Sequence, residues 1–185
     1  QWQQVLDVNL GSAFRLSREA WPLFKAQQFG RLVFTSSSAG LYGNFGQANY
    51  AAAKMGLVGL ARTIALEGQR HGITANVVAP LAATEMNKKV LPAAVAARVP
   101  AAALAPLSAY LCHPACEASG EVFENAGGWT SKVHLARGEG MSLAPAEMTI
   151  AAIHADWESV IGDQSLVYPG NAQDALESML PRLKG

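Results

Sequence analysis

The chain has 185 residues, of which half are apolar and only 15% are charged, and its formal net charge is zero. This length fits one domain of ordinary size that buries a real core. The neutral composition gives no support to nucleic-acid or anionic-membrane binding, which need clustered basic residues, and no apolar run approaches the ~20 residues that span a bilayer.

The first predicted elements are a long helix and a buried strand. Residues 2–29 repeat apolar side chains at three- and four-residue spacing, which predicts a helix, and Pro22 inside it is expected to kink or restart it. Gly30 then introduces RLVFTSS, a short apolar run that is typical of a buried strand. The glycine-rich stretch SAGLYGNFGQ follows, and we expect it to form a loop that approaches a ligand closely.

A second helix and a second strand follow this loop. The helix has an apolar stripe that includes Leu57 and Ile64, and Gly72 marks its end. Residues 73–79 are predicted to form another buried strand, which Pro80 is expected to end. Two continuous apolar strands joined by a helical crossover indicate parallel pairing, with helices covering the sheet.

The rest of the chain is less regular. Residues 81–106, rich in alanine and proline, are expected to form a mobile loop with short helical turns, followed by a helix in APLSAYLCHP and a last strand in GEVFENAGGW. From residue 132 onward the pattern becomes irregular, with helices predicted near residues 145–154 and 171–180. Three strands make a thin sheet, because an open α/β sheet normally has five or more, so part of the sheet is expected to be missing.

Two cysteines, Cys112 and Cys116, flank His113 in YLCHPACEA and could suggest a metal site. A structural zinc site needs four ligands, and the sequence has no second pair. We therefore favour ordinary buried thiols over a metal or a disulfide, and we predict no metal site.

The sequence YAAAK places Tyr50 four residues before Lys54, so both side chains lie on one face of the predicted helix. An ammonium beside a phenol favours the phenolate, which suits a tyrosine that exchanges a proton with a substrate oxygen. Ser37 stands at the end of the preceding strand, where the carboxyl ends of parallel strands line a ligand crevice. The alternatives are a chance surface pair for Tyr50 and Lys54, and a turn-capping role for the serines.

Four segments together resemble the short-chain dehydrogenase/reductase family. They are VNLGSAF (residues 8–14), GRLVFTSSSAG (30–40), YAAAK (50–54) and ITANVVAP (73–80). In order and spacing they look like the second half of that family's domain. The resemblance implies an α/β fold: the C-terminal part of a Rossmann-like doubly wound parallel sheet whose first strands are missing, with residues 1–131 as a catalytic half and 132–185 as a C-terminal extension.

The resemblance also implies a role for each matching residue. Tyr50 would be the general acid/base and would also contact the cofactor, Lys54 would support it and hold the nicotinamide ribose, and Ser37 would orient the substrate oxygen. Asn9 would support a proton-relay water. For Asn9 the alternative is a plain amide on the helix surface.

Two further residues would contact the cofactor after the second strand. Pro80 and Thr84 match positions beside the nicotinamide, although Leu81 stands where the family usually has glycine. For Thr84 the alternative is a simple helix N-cap.

A narrower resemblance is to the (3R)-hydroxyacyl-CoA dehydrogenases of peroxisomal multifunctional enzymes, through YGNFGQANYAAAKMGLVGLA and YLCHPACEASGEVFENAGGW. It implies an acyl-CoA substrate, oxidation with NAD in fatty-acid β-oxidation, a peroxisomal location and a dimer contacted by the extension. NADP stays open, as do a mitochondrial or cytoplasmic location, a 3-ketoacyl reductase of fatty-acid synthesis, and a non-catalytic assembly subunit.

The family's glycine-rich pyrophosphate turn is not found in this sequence. The chain also begins inside a helical pattern without methionine. We expect a truncated gene model, a fragment of a larger enzyme, or a split enzyme whose partner chain supplies the first half. Net stability is only ~5–15 kcal/mol in ordinary domains, so a chain lacking half its sheet is expected to fold poorly alone.

Overall fold

The computed structural model describes residues 1–87 and 91–184, which divide into two compact units, Gln1–Val133 and His134–Gly185. The first unit contains α1 (Trp2–Leu6), a π-helical turn (Asp7–Gly11), α2 (Ser12–Gln27), β1 (Gly30–Thr35), α3 (Ser38–Tyr42), α4 (Ala48–Gly68), β2 (Ile73–Leu81), α5 (Ala93–Ala96), α6 (Ala105–Leu111), β3 (Val122–Ala126) and β4 (Trp129–Val133). The second contains α7 (Ile150–Ala155), α8 (Trp157–Ile161) and α9 (Ala172–Met179).

The N-terminal helix is continuous from Trp2 to Gln27, as predicted, but it passes through the π-helical turn. Pro22 lies inside α2, and the helix does not restart there. It ends at Gln28, which adopts a left-handed conformation with φ 52°. π-Helical turns are rare in proteins, but those that occur often lie at functional sites. This one contains Asn9.

The sheet has the order β1-β2-β3-β4, so β1 is an edge strand within the described residues. β1, β2 and β3 are parallel, which confirms the parallel pairing predicted from their apolar runs. β4 is an additional antiparallel strand that the sequence analysis missed. It follows the two-glycine turn at Gly127 and Gly128, and such a turn between strands is a hairpin signal.

β2 continues through Pro80 to Leu81, so the prediction that Pro80 ends the strand is wrong. Ser36 N–H donates to Val78 O, which shows that Val78 faces β1. Pro80, two residues on, faces the same way, beyond Thr35, the last β1 residue in the pairing. No β1 residue pairs with Pro80 on that side, so the missing proline N–H costs the sheet no hydrogen bond.

Helices cover both faces of the sheet. On one face α4 buries Leu57, Val58 and Ala61 against Phe34 and Val77. On the other face Leu111 of α6 and Cys116 pack against Val78. This arrangement confirms the α/β class.

Two local predictions need correction. The stretch SAGLYGNFGQ is not a simple loop, because Ser38–Tyr42 form α3, which starts at a capping serine. Cys112 is exposed, and only Cys116 is a buried thiol. Cys112 lies at the C-terminal cap of α6, where its side chain leaves the core.

The second unit is organised around Arg137. Its guanidinium donates to Ala175 O at 3.1 Å and to Ser178 Oγ at 2.6 Å, which ties α9 to the start of the unit. The helices predicted near residues 145–154 and 171–180 are present as α7 and α9. The role of this extension in substrate or dimer contacts stays a prediction. The short helical segments predicted within residues 81–106 are also present, while residues 88–90 lie outside the described chain.

Candidate active site

Consecutive serines at the end of β1 have different surroundings. Ser36 is 2% exposed, and its hydroxyl donates to Lys54 O at 2.8 Å, so it joins β1 to α4. Ser37 is the N-cap of α3, and its Oγ accepts a hydrogen bond from Ala39 N–H at 3.2 Å. A serine hydroxyl has one proton and two lone pairs, so Ser37 retains a donor for a substrate oxygen.

Tyr50 and Lys54 lie on one face of α4, as their spacing predicts. The Lys54 Nζ atom donates to Thr35 O at 2.7 Å and lies 5.5 Å from the centre of the Tyr50 ring. Burial lowers the pKa of the Lys54 ammonium below its usual value. Lys54 is therefore held against the free edge of β1 with its charge beside the tyrosine.

Close packing of α3 on α4 fixes the backbone of Lys54. A Cβ added at Gly40 would lie 2.7 Å from Lys54 Cβ and 3.0 Å from the Lys54 carbonyl carbon. Only glycine allows this approach. Together with the Ser36 hydrogen bond, it places the residues that follow β1 directly against the N-terminal third of α4.

Asn9 and Lys54 line a common cavity of about 360 Å³ beside β1. The Asn9 Nδ2 atom donates to Val5 O at 3.0 Å within the π-helical turn, which leaves its Oδ1 to face other groups. Leu10 fixes this turn against α4, because a Cβ at Gly56 would lie 2.7 Å from Leu10 Cδ2. The structure thus brings Asn9 to the same site as Lys54.

Pro80 and Thr84 lie at the end of β2 and in the segment after it. Thr84 N–H donates to Asn87 Oδ1 at 2.8 Å, and Asn87 Nδ2 donates to Ala82 O at 2.7 Å. The Thr84 side chain is exposed. Asn87, which sequence reasoning missed, orders this segment.

A hydrogen bond that sequence reasoning also missed joins α3 to the sheet. The Tyr42 hydroxyl donates to Glu124 Oε2 at 2.6 Å. This bond raises the pKa of Tyr42, with smaller contributions from burial and from the negative charge of Glu124. Both residues lie in the two segments that carried the narrower resemblance, but nothing in the sequence indicated that they pair.

Two negative observations concern the described residues alone. In residues 1–87 and 91–184 no cluster of three or more His, Cys, Asp or Glu side chains could hold a metal ion. No helix in this part of the chain has both the length and the apolar character to cross a bilayer.

Comparison with known proteins identifies the family. Residues 1–94 match the short chain dehydrogenase family. Peroxisomal multifunctional enzyme type 2 of Drosophila melanogaster is 40% identical over 186 residues, which cover 99% of this chain and 31% of that protein. The chain belongs to the short-chain dehydrogenase/reductase family. It is therefore related to oxidoreductases that use a nicotinamide dinucleotide, and the resemblance seen in the sequence is confirmed.

Two other comparisons define the likeness further. The structure of full-length peroxisomal multifunctional enzyme type 2 from Drosophila melanogaster matches with a TM-score of 0.88 at 39% identity, covering 97% of this chain and 33% of that one. This match confirms the Rossmann-like fold. The 3-oxoacyl-[acyl-carrier-protein] reductase of Salmonella typhimurium is 41% identical over 108 residues, 56% of this chain and 44% of that protein. The chain spans about a third of the Drosophila enzyme.

Proposed function

We propose that this short-chain dehydrogenase/reductase chain supplies the reaction half of an enzyme that oxidises (3R)-hydroxyacyl-CoA to 3-ketoacyl-CoA with NAD in fatty-acid β-oxidation. The observation that carries the proposal is the position of Lys54, which is anchored on Thr35 O beside the Tyr50 ring. The substrate class is supported by the similarity to peroxisomal multifunctional enzymes over nearly the whole chain.

The proposed chemistry divides among three side chains. Tyr50 accepts the proton of the substrate hydroxyl as the carbon becomes a carbonyl, and it returns the proton in the reverse reaction. The Lys54 ammonium lies 5.5 Å from the centre of the Tyr50 ring and is proposed to stabilise the negative charge that develops on the tyrosine oxygen during proton transfer. The hydroxyl of Ser37 donates a hydrogen bond to the substrate oxygen and fixes its position.

A nicotinamide cofactor, when bound, accepts the hydride from the substrate carbon. Lys54 fits its ribose, because an ammonium has three donors and Thr35 O uses one of them. Asn9 faces the same cavity and is proposed to hold the water that carries a proton away from Tyr50. Pro80 and Thr84 are proposed to contact the nicotinamide from the end of β2.

We propose that the working protein contains a second chain, either another copy or a partner that supplies the rest of the sheet. β1 has no strand on its outer side within the described residues, and Lys54 satisfies only Thr35 O there. Large apolar side chains are also exposed on α2, including Leu16 at 72% and Leu23 at 68%. The proposed location is the peroxisome, because the related enzymes carry that name.

The second candidate function is reduction of a 3-ketoacyl group on a carrier protein. The similarity to the Salmonella reductase favours it, although that match covers only about half of this chain. The third candidate function is that of a non-catalytic assembly subunit. In that case no nucleotide binding is expected. The intact Ser37, Tyr50 and Lys54 argue against it, since assembly needs none of them.

The test is titration of the protein as purified, together with any second chain that copurifies, with NADH, followed by acetoacetyl-CoA reduction. We expect saturable binding, a raised Tm, and a kcat that falls by about 10²–10⁴ in Tyr50→Phe, the range typical of a general acid. Tyr110→Phe is the matched control, because Tyr110 is exposed on α6, outside the proposed site. Normal activity in Tyr50→Phe would refute the proposed mechanism, and activity only on carrier-bound substrate would favour the reductase.

The partner proposal is tested separately by sedimentation of the protein as purified. We expect a dimer or a complex with a second chain. A stable monomer that binds NADH would show that no second chain is needed.

A further inference from the structure

The Tyr42–Glu124 hydrogen bond joins residues 82 positions apart. Tyr42 is the last residue of α3, and Glu124 lies on β3, two strands away from β1. Strands are ~4.8 Å apart, so α3 and the Tyr42 side chain together cross about 10 Å of the sheet's edge. The 2.6 Å length is that of a charge-assisted bond to a carboxylate, which is the stronger kind.

This hydrogen bond holds the C-terminal end of the short helix α3. α3 has only five residues, and so short a helix depends on outside contacts. Its first turn is fixed by Ser37 and its middle by Gly40 against Lys54. Tyr42 is the contact at its end.

The segment after Tyr42 has little support of its own. Gly43 and Gly46 have φ angles of 80° and 76°, and a Cβ at either would meet nothing within 4 Å. The turn between them is closed by its own side chains, through the Asn44 Nδ2 donor and Gln47 Oε1. The next element is α4, which carries Tyr50. Tyr42 is therefore the last anchor on the sheet before the candidate acid/base.

We infer that Tyr42 and Glu124 are a positioning pair that holds α3, and through it Ser37 and Tyr50, in register across the carboxyl edge of the sheet. Neither residue is assigned contact with substrate. The inference deepens the proposed function and depends on it only for its effect on activity. The alternative is that this hydrogen bond has no effect on the position of Tyr50, since Tyr42 is 64% exposed.

The first experiment needs no activity. The chain has four tyrosines, so ring-labelled tyrosine gives a small set of NMR signals that single Phe variants assign. We expect the Tyr50 signal to move in Tyr42→Phe and to move equally in Glu124→Ala and in the double variant. Tyr110→Phe should leave it in place, and Glu124→Gln, which keeps an acceptor oxygen, should restore most of the original position.

The second experiment measures acetoacetyl-CoA reduction in the same variants. We expect kcat to fall about three- to tenfold in Tyr42→Phe and in Glu124→Ala, with no further loss in the double variant and little change in Tm. A tenfold fall in kcat corresponds to about 1.4 kcal/mol of activation free energy, and the double variant shows how much of it the two residues share.

The outcomes separate the two proposals. A Tyr50 signal unmoved by loss of either partner would overturn the positioning role, whether or not the protein is active. Independent, additive losses of kcat would do the same. An inactive unmodified protein would count against the proposed function alone, because the NMR comparison would still decide this inference.

Discussion

The two segments that follow β1 and β2 are held in different ways. The segment after β1 is fixed by contacts to distant parts of the chain, through Ser36 to Lys54 and Tyr42 to Glu124. The segment after β2 is held by one local side chain, Asn87, which bonds to residues three and five positions away, and by a backbone hydrogen bond from Ala83 N–H to Val99 O at 2.8 Å. Side-chain hydrogen bonds to distant residues thus place the segment that precedes Tyr50, whereas the side-chain hydrogen bond at Thr84 comes from a residue only three positions away.

The sharpest test of this contrast compares the adjacent serines. Ser37→Ala is expected to lower kcat by about 10–100-fold, because a hydrogen bond to the substrate oxygen contributes about 1.4–2.7 kcal/mol to the barrier. Loss of its N-cap bond to α3 is expected to lower the free energy of unfolding as well, by about 0.5–2 kcal/mol. Ser36→Ala is expected to lower the free energy of unfolding by about 0.5–1.5 kcal/mol with a much smaller loss of kcat, because it removes one buried hydrogen bond between β1 and α4. Activity assays and thermal unfolding of both variants provide the check, and equal behaviour would contradict the assigned roles.

A glycine pair tests whether α3 and α4 depend on close approach. Gly40→Ala should cost about 1–3 kcal/mol of stability, since the new methyl group meets Lys54 at 2.7 Å. Gly59→Ala, on the open side of α4, should instead stabilise the chain by about 0.5–1 kcal/mol, because alanine favours the helix. Urea unfolding of the two variants distinguishes them, and a neutral Gly40→Ala would show that the junction is looser than described.

The segment after β2 is tested by Asn87→Ala. Loss of its two hydrogen bonds is expected to raise the KM for NADH about three- to tenfold, since each bond contributes about 0.5–1.5 kcal/mol, with kcat nearly unchanged. Asn44→Ala, which breaks only the exposed bond to Gln47, is the matched control. An equal effect from both would mean that Asn87 has no special role near the cofactor.

The smallest expected effect is a pH dependence from Lys54. Burial lowers its folded-state pKa, so the unfolded chain binds more protons between that lowered pKa and the ordinary lysine value of ~10.4. Stability relative to Lys54→Met should therefore rise as pH increases through this window. Thermal unfolding of both proteins between pH 7 and pH 10 measures this stability difference. A difference that does not change with pH would contradict the prediction.

Hydrophobic pattern and residue spacing were enough to predict the two long helical segments of the first unit, the parallel strands and the placement of Tyr50 and Lys54 on one helix face. They could not predict α3, because its glycine-rich sequence favours a loop and its stability comes from packing on α4. The π-helical turn around Asn9 leaves no periodic signal, and β4 is too polar to read as a buried strand. The Tyr42–Glu124 contact depends on a crossing of three strands that no local pattern encodes.

The hydrogen bond from Lys54 to Thr35 O has a meaning apart from proton transfer. An unpaired strand edge invites other chains to add to it, and lysine side chains at such edges discourage aggregation. Lys54 occupies one of the open backbone acceptors of β1 with a charged group. The residue proposed to support Tyr50 therefore also places a charge at the open edge of the sheet, so an apolar replacement is expected to make the protein more prone to aggregate.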